Sequence, residues 1–253
     1  MTTLSTELQA ARGFGRGYID GLITANGTDA DHDIDIAAGE CRDSTNTYNM
    51  ILGSTLTKQI DASWASGNNA GGLFSGSVGN STWYHVFLIR RDDGTIDAGF
   101  DTSVSAANRP AGYSTYRRIG SVLTNSSANI IAFTQNGDQF LWNSYTTDKS
   151  GAFTAGAWTA YTASVPTGVV VDAIVKFDLQ ATAITAEHAG ISDYGFDNWR
   201  VCGRAPVLGE WCFATTATCR TNTSAQLKYY ATGGNSFSLF CMGWIDPRGR
   251  DAA

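Results

Sequence analysis

The three histidines, His32, His85 and His188, are the first residues to weigh for chemistry. Imidazole is the side chain that most readily moves protons at neutral pH. His85 sits inside the apolar run WYHVFLIRR, where a hydrogen-bonded core histidine is the expected role. His188 follows Glu187 in a stretch read as loop, which leaves a catalytic role open to it. No G-x-S-x-G elbow, no HExxH and no phosphate-binding P-loop accompanies either of them. Aspartates are plentiful, and a carboxylate pair could hydrolyse a glycosidic bond. Most of them occupy turn positions, as in Asp92-Asp93-Gly94 and Asn136-Gly137-Asp138, where turn chemistry explains them. The residues therefore assign no catalytic group and no cofactor, and the chain reads as a non-enzyme.

Metal ligation is the next chemistry to ask about. Asp29, Asp31, Asp33 and Asp35 surround His32, and oxygen-rich clusters suit calcium. The run lacks the glycine and distal glutamate of an EF-hand loop, and strand alternation already accounts for Asp33 and Asp35, so no metal site is assigned. Of the five cysteines, Cys202, Cys212, Cys219 and Cys241 fall in the last quarter of the chain and Cys41 stands alone. Their gaps fit no zinc motif. Small buried hydrophobes and a disulfide in the 202–241 region both remain open, and the odd count leaves at least one thiol without an intrachain partner.

Exposed aromatics are a third kind of chemistry. Tyr194, Phe196, Trp199 and Arg200 lie in a stretch without a strand period, so fewer of them need be core. Rigid rings on a loop stack on sugars or anchor protein partners at low entropic cost. These four are the candidate ligand or partner contacts. Core or subunit packing is the competing role.

The elements that must position these residues are strands. Only 16% of residues are charged, with four lysines and four glutamates, while Thr, Tyr, Phe, Trp and Val abound. That balance disfavours helix and favours strand. VVVDAIVKFDLQ alternates cleanly, HDIDIAAG puts Ile34 and Ile36 on one face, and WYHVFLIRR suits a central strand covered on both sides. Asn26-Gly27, Asp93-Gly94, Asn136-Gly137 and Gly233-Gly234 mark turns. TKQIDASWAS (57–66) loses the period of two and reads as one or two helical turns. GNNAGGLFSGSVGN reads as a flexible loop, and residues 187–211 as a long irregular segment.

The fold class is thus all-β, an antiparallel β-sandwich of jelly-roll type. Residues 1–17, a short helix and a Gly-rich joint, form an N-terminal attachment segment; they lack the basic start and apolar core of a secretory signal. Residues 18–253 form the sandwich, with any subdivision near 145–165. A net charge of −6 and the absence of a basic cluster argue against nucleic acid. No run approaches the ~20 apolar residues that span a bilayer, which argues against membrane insertion.

The patches WYHVFLIRRDDGTIDAGFDTS, YRRIGSV and IIAFTQNGDQFLW resemble virion proteins of tailed bacteriophages and prophages, of the tail-fibre, spike or capsid-fibre type. TKQIDASWASGNNAGGL and the closing GWIDPRGR resemble the same group. The resemblance implies a structural virion protein, assembled in the host cytoplasm. It implies a homotrimer joined to other virion proteins through its N-terminal segment. No shaft repeats occur, so a short fibre or spike contributing to host attachment is expected. A capsid decoration protein stabilising the shell is the alternative, and a glycan-binding or glycan-degrading module a further one. Host glycan or protein would be the outside partner. No adsorption residue carries over from the resemblance.

Overall fold

The computed structural model describes residues 14–151, 154–180, 187–205, 209, 211–213, 216–232 and 236–250. The helix expected near residues 3–11 lies outside them. All regular structure among the described residues is β, arranged as several antiparallel and mixed sheets of the sandwich type. The chain divides into two compact units. One comprises residues 1–138 and 247–253, and the other residues 139–246. The division falls at Asp138/Gln139, with a return at Asp246/Pro247.

The first unit contains β1 (Ile19–Gly21), β2 (Thr24–Asn26), β3 (Asp33–Ile36), β4 (Gly39–Arg42), β5 (Asn49–Leu52), β6 (Leu56–Ser63), β7 (Ala70–Leu73), β8 (Trp83–Arg90), β9 (Ile96–Asp101), β10 (Thr115–Leu123) and β11 (Phe133–Asn136). β1, β4 and β5 form a small sheet, and a seven-stranded sheet has the order β10-β8-β9-β7-β6-β3-β2. β8 is buried along nearly its whole length, as its doubly apolar pattern requires. Its hairpin to β9 turns at Asp93-Gly94, where Gly94 takes φ 94°, a backbone state that costs glycine little.

Two expectations fail in this sheet. Residues 56–63 are a strand, not helical turns, and the glycine-rich segment contributes the buried strand β7. β7 runs parallel to both neighbours, so the sheet is mixed and not wholly antiparallel. The glycines permit close approach. A Cβ on Gly71 would lie 2.1 Å from the Ser63 carbonyl oxygen, and one on Gly72 would lie 2.7 Å from the Phe100 ring. Lys58 of β6 is wholly buried, with Nζ 3.2 Å from the Asp97 carboxylate and donating to the carbonyls of Ala65 (2.7 Å) and Gly67 (3.2 Å). The β6–β7 connection therefore wraps an ammonium group, which disturbs the apolar period without breaking the strand.

The last residues belong to this first unit. Arg248 is 2% exposed; its guanidinium donates to the carbonyls of Ile119 (2.9 Å), Gly21 (3.0 Å) and Leu22 (2.6 Å). Arg117 returns the contact by donating to the Arg248 carbonyl at 2.8 Å. Arg250 pairs with Asp138 at 2.5 Å. The segment PRGR (247–250) thus supplies a latch that holds β1, the turn after it and β10 together.

The second unit contains β12 (Gln139–Lys149), β13 (Thr159–Thr162), β14 (Asp172–Gln180), β15 (Glu187–Ser192), β16 (Val201–Ala205), β17 (Trp211–Phe213), β18 (Ala217–Arg220), β19 (Gln226–Ala231) and β20 (Ser236–Ile245). One sheet runs β12-β20-β14-β17 with β18 also on β14; the other runs β13-β19-β15-β16. Ala173, Val175, Phe177 and Leu179 of β14 face inward, as the alternation of that strand demands. The core rings meet between the sheets. Phe177 and Phe237 lie 5.7 Å apart, Phe237 and Tyr229 5.5 Å, and Tyr229 and Tyr161 6.2 Å. Residues 187–211 hold two regular strands, β15 and β16, where an irregular segment was expected. Ala189, Gly190 and Ile191 are all buried in succession, Gly190 beneath Trp199, and this masks the period of two there.

A candidate ligand-binding groove on the outer face of the second unit

The sheet β13-β19-β15-β16 buries one face and turns the other outward. In β19, Leu227, Tyr229 and Ala231 are buried, while Lys228 and Tyr230 point out. Antiparallel register then places outward residues in a row across the strands. Thr159 opposite Tyr229 sets Trp158 beside Tyr230; Tyr230 lies opposite Gly190, and Gly190 opposite Cys202.

The β15–β16 loop, residues 193–200, folds back over this face. Asp193 is the anchor. It is 4% exposed, accepts from Arg200 Nε at 2.8 Å, and accepts from the Arg220 backbone amide at 2.9 Å. Asp197 reaches Lys228 at 2.6 Å, and the Lys228 ammonium lies 5.8 Å from the Tyr194 ring centre. Trp199 packs over Gly190, where a Cβ would come within 2.2 Å of the indole. Three rings thereby join. Trp158–Trp199, Trp199–Tyr230 and Trp158–Tyr230 have centroid separations of 5.1, 5.3 and 5.4 Å.

Beside these rings opens a cavity of about 440 Å³, lined by Trp158, His188, Asp197, Trp199, Cys202, Tyr230 and Thr232. It offers aromatic surface together with an imidazole, a carboxylate and a hydroxyl at its edge. That is the composition of a site that binds an amphipathic ligand by stacking and orients it by hydrogen bonds.

The four residues singled out in the sequence separate here. Trp199 enters the groove. Tyr194 packs beneath Lys228, and Phe196 stands at the loop tip, 62% exposed. Arg200 is engaged by Asp193, whose hydrogen bond and charge raise the guanidinium pKa further. His188 is in β15, not in a loop, and its backbone pairs with Thr232. Trp158, Tyr230, Asp197 and Lys228 were not singled out. Tyr230 could have been, because AQLKYYAT alternates and two adjacent tyrosines cannot both face a core.

The remaining chemistry has structural roles. His85 is 2% exposed and hydrogen-bonds Ser121 at 2.9 Å. His32 pairs with Asp29 at 3.0 Å, which raises the imidazole pKa and lowers that of the carboxyl. No group of three or more His, Cys, Asp or Glu among the described residues is arranged to hold a metal. All five cysteines are free; Cys202 is exposed, while burial pushes the Cys41 and Cys219 thiols up to about 12. A second open cavity, in the first unit beside Asp92, Arg109 and Tyr113, is closed chemically. There the Arg109 guanidinium already donates to the carbonyls of Tyr113 and Ala106.

Compared with protein-family models, curated proteins and solved structures, the chain matches none.

Proposed function

We propose that this chain is a surface-recognition module of a tailed-phage particle, a short fibre or spike that contributes to attachment to the host. The observation that carries the recognition half is the cluster of Trp158, Trp199 and Tyr230 on an outward sheet face, bordered by Asp197, His188 and Thr232. Rings that lie outside a core, beside an open cavity and over a glycine that admits them, suit contact with something other than this unit's own interior. The virion half draws on the sequence patches between Trp83 and Trp142 and on the closing GWIDPRGR.

Immunogold electron microscopy with antibody to the chain tests the reading. Label on the tail or its appendages is the expected result, and absence from purified particles overturns it. Label confined to heads, with loss of shell stability on deletion, would replace it with a decoration role. The same reading makes the chain a homotrimer, so light scattering should give about three times 26.9 kDa; a monomer mass would remove the trimer.

A further inference from the structure

We infer that the groove of the second unit is a carbohydrate site whose ligand is an uncharged pyranose sugar stacked on Trp199. The inference rests on the recognition reading above and names the ligand class of that same site.

The arrangement of the rings decides first. Centroid separations of 5.1 to 5.4 Å mean that Trp158, Trp199 and Tyr230 touch one another. An aromatic cage for an alkylammonium group needs rings that stand apart around the charge; these leave no space between them. What they offer is outer surface, held rigid by mutual contact and by the seat at Gly190. A ligand that uses it must present a flat apolar face. A pyranose does so with its axial C–H bonds, while its equatorial hydroxyls point sideways to a polar rim.

The rim decides next. Asp197 can accept from hydroxyl groups, and His188 and Thr232 can donate or accept. Of the cations near the groove, Lys228 is engaged by Asp197 and Arg200 by Asp193, while Arg204, opposite His188, is exposed but does not line the cavity. An anionic sugar would meet the Asp197 carboxylate with its neutralising lysine already committed, and the chain as a whole carries −6. A cationic ligand would have to compete with Lys228 for Asp197. A neutral polyol suffers neither cost. The volume, about 440 Å³ and open to solvent, admits one or two sugar rings of a longer chain.

The test is a glycan array probed with the full chain, followed by tryptophan-fluorescence titration with the free form of each bound glycan. Bound glycans should share a neutral hexopyranose. Trp199→Ala should weaken binding about tenfold or more, Trp199→Phe should restore part of it, and Tyr145→Ala, an exposed ring on the other sheet, should leave it unchanged. A thermal melt of each variant separates lost binding from lost folding. Binding only to acidic glycans, binding indifferent to Trp199, or no binding by folded protein at millimolar glycan overturns the inference. Shortening of the glycan during incubation replaces a binding site with a hydrolytic one and overturns it too. The two readings fail separately. If sugar binding is absent but folded Trp199→Ala no longer attaches to cells, recognition stands and the ligand class falls. If sugar binds but particles carry no label, the virion role falls and the sugar site stands.

Discussion

Trp199 lies across the backbone of Gly190, so closely that a methyl group at position 190 would come within 2.2 Å of the indole. Gly190 lies in β15 and Trp199 in the loop that follows it, and the glycine is what lets that loop lie on its own sheet. Gly190→Ala should lift the indole and loosen its contacts with Trp158 and Tyr230. We expect a changed near-ultraviolet circular dichroism spectrum and a loss of about 1–3 kcal/mol, the usual cost of overpacking. Adding Trp199→Ala should recover only part of that loss, because a Cβ at position 190 would still meet the Val201 carbonyl oxygen at 2.3 Å.

The C-terminal latch gives a second prediction. Arg248 serves three carbonyl groups of the first unit and is itself held by Arg117. Arg248→Ala takes the charged donor away from all three carbonyls, so we expect a loss of roughly 3–5 kcal/mol. Urea unfolding followed by the fluorescence of the first unit checks this. An Arg248→Ala protein with an unshifted midpoint would show that the latch is ornamental.

Much of this fold is legible in the sequence, and the exceptions have physical causes. β14 and β8 are readable because their burial patterns are strictly local consequences of alternation or of double coverage. β7 is not, since its glycines depress strand propensity and its partners β6 and β9 pair with it in parallel. Its burial is visible only once Phe100 is seen against Gly72. The groove divides the same way. Trp199 stands out from its aperiodic neighbourhood, but Trp158 and Tyr230 are far apart in sequence and meet only through the β13–β19 register. Arg248 has no local signal at all, because its acceptors lie more than a hundred residues upstream.

A third prediction concerns pH. Burial pushes the Asp148 carboxyl from 3.8 up to about 6, against the hydrogen bonds that Ser164 and Thr146 donate to it. Its second oxygen, Oδ2, is buried with no partner among the described residues, which is where the proton would sit. The folded state thus binds this proton more tightly than the unfolded state. The stability it contributes is fully present below about pH 4 and is lost as pH rises through about 6. The full effect is roughly 3 kcal/mol. Asp148→Asn should flatten that part of the profile, so the gap between variant and wild-type urea midpoints should widen in the variant's favour from pH 4 to pH 7.5.

Thiol chemistry gives a fourth. Only thiolates attack disulfide reagents, and Cys202 is exposed while Cys41, Cys219 and Cys241 are buried with raised pKa. An aromatic disulfide reagent should modify Cys202 quickly and the three buried thiols only on unfolding. Because Cys202 lines the groove, a bound ligand should slow its modification.

The central claim is that the cluster of Trp158, Trp199 and Tyr230 is the surface by which this protein recognises a cell. Flow cytometry of fluorescently tagged protein on a panel of bacteria tests it most directly. The account predicts saturable binding to a subset of strains, abolished or strongly weakened by Trp199→Ala and by Tyr230→Ala, and retained by Tyr145→Ala. Binding that all three folded variants keep at the wild-type level would contradict it.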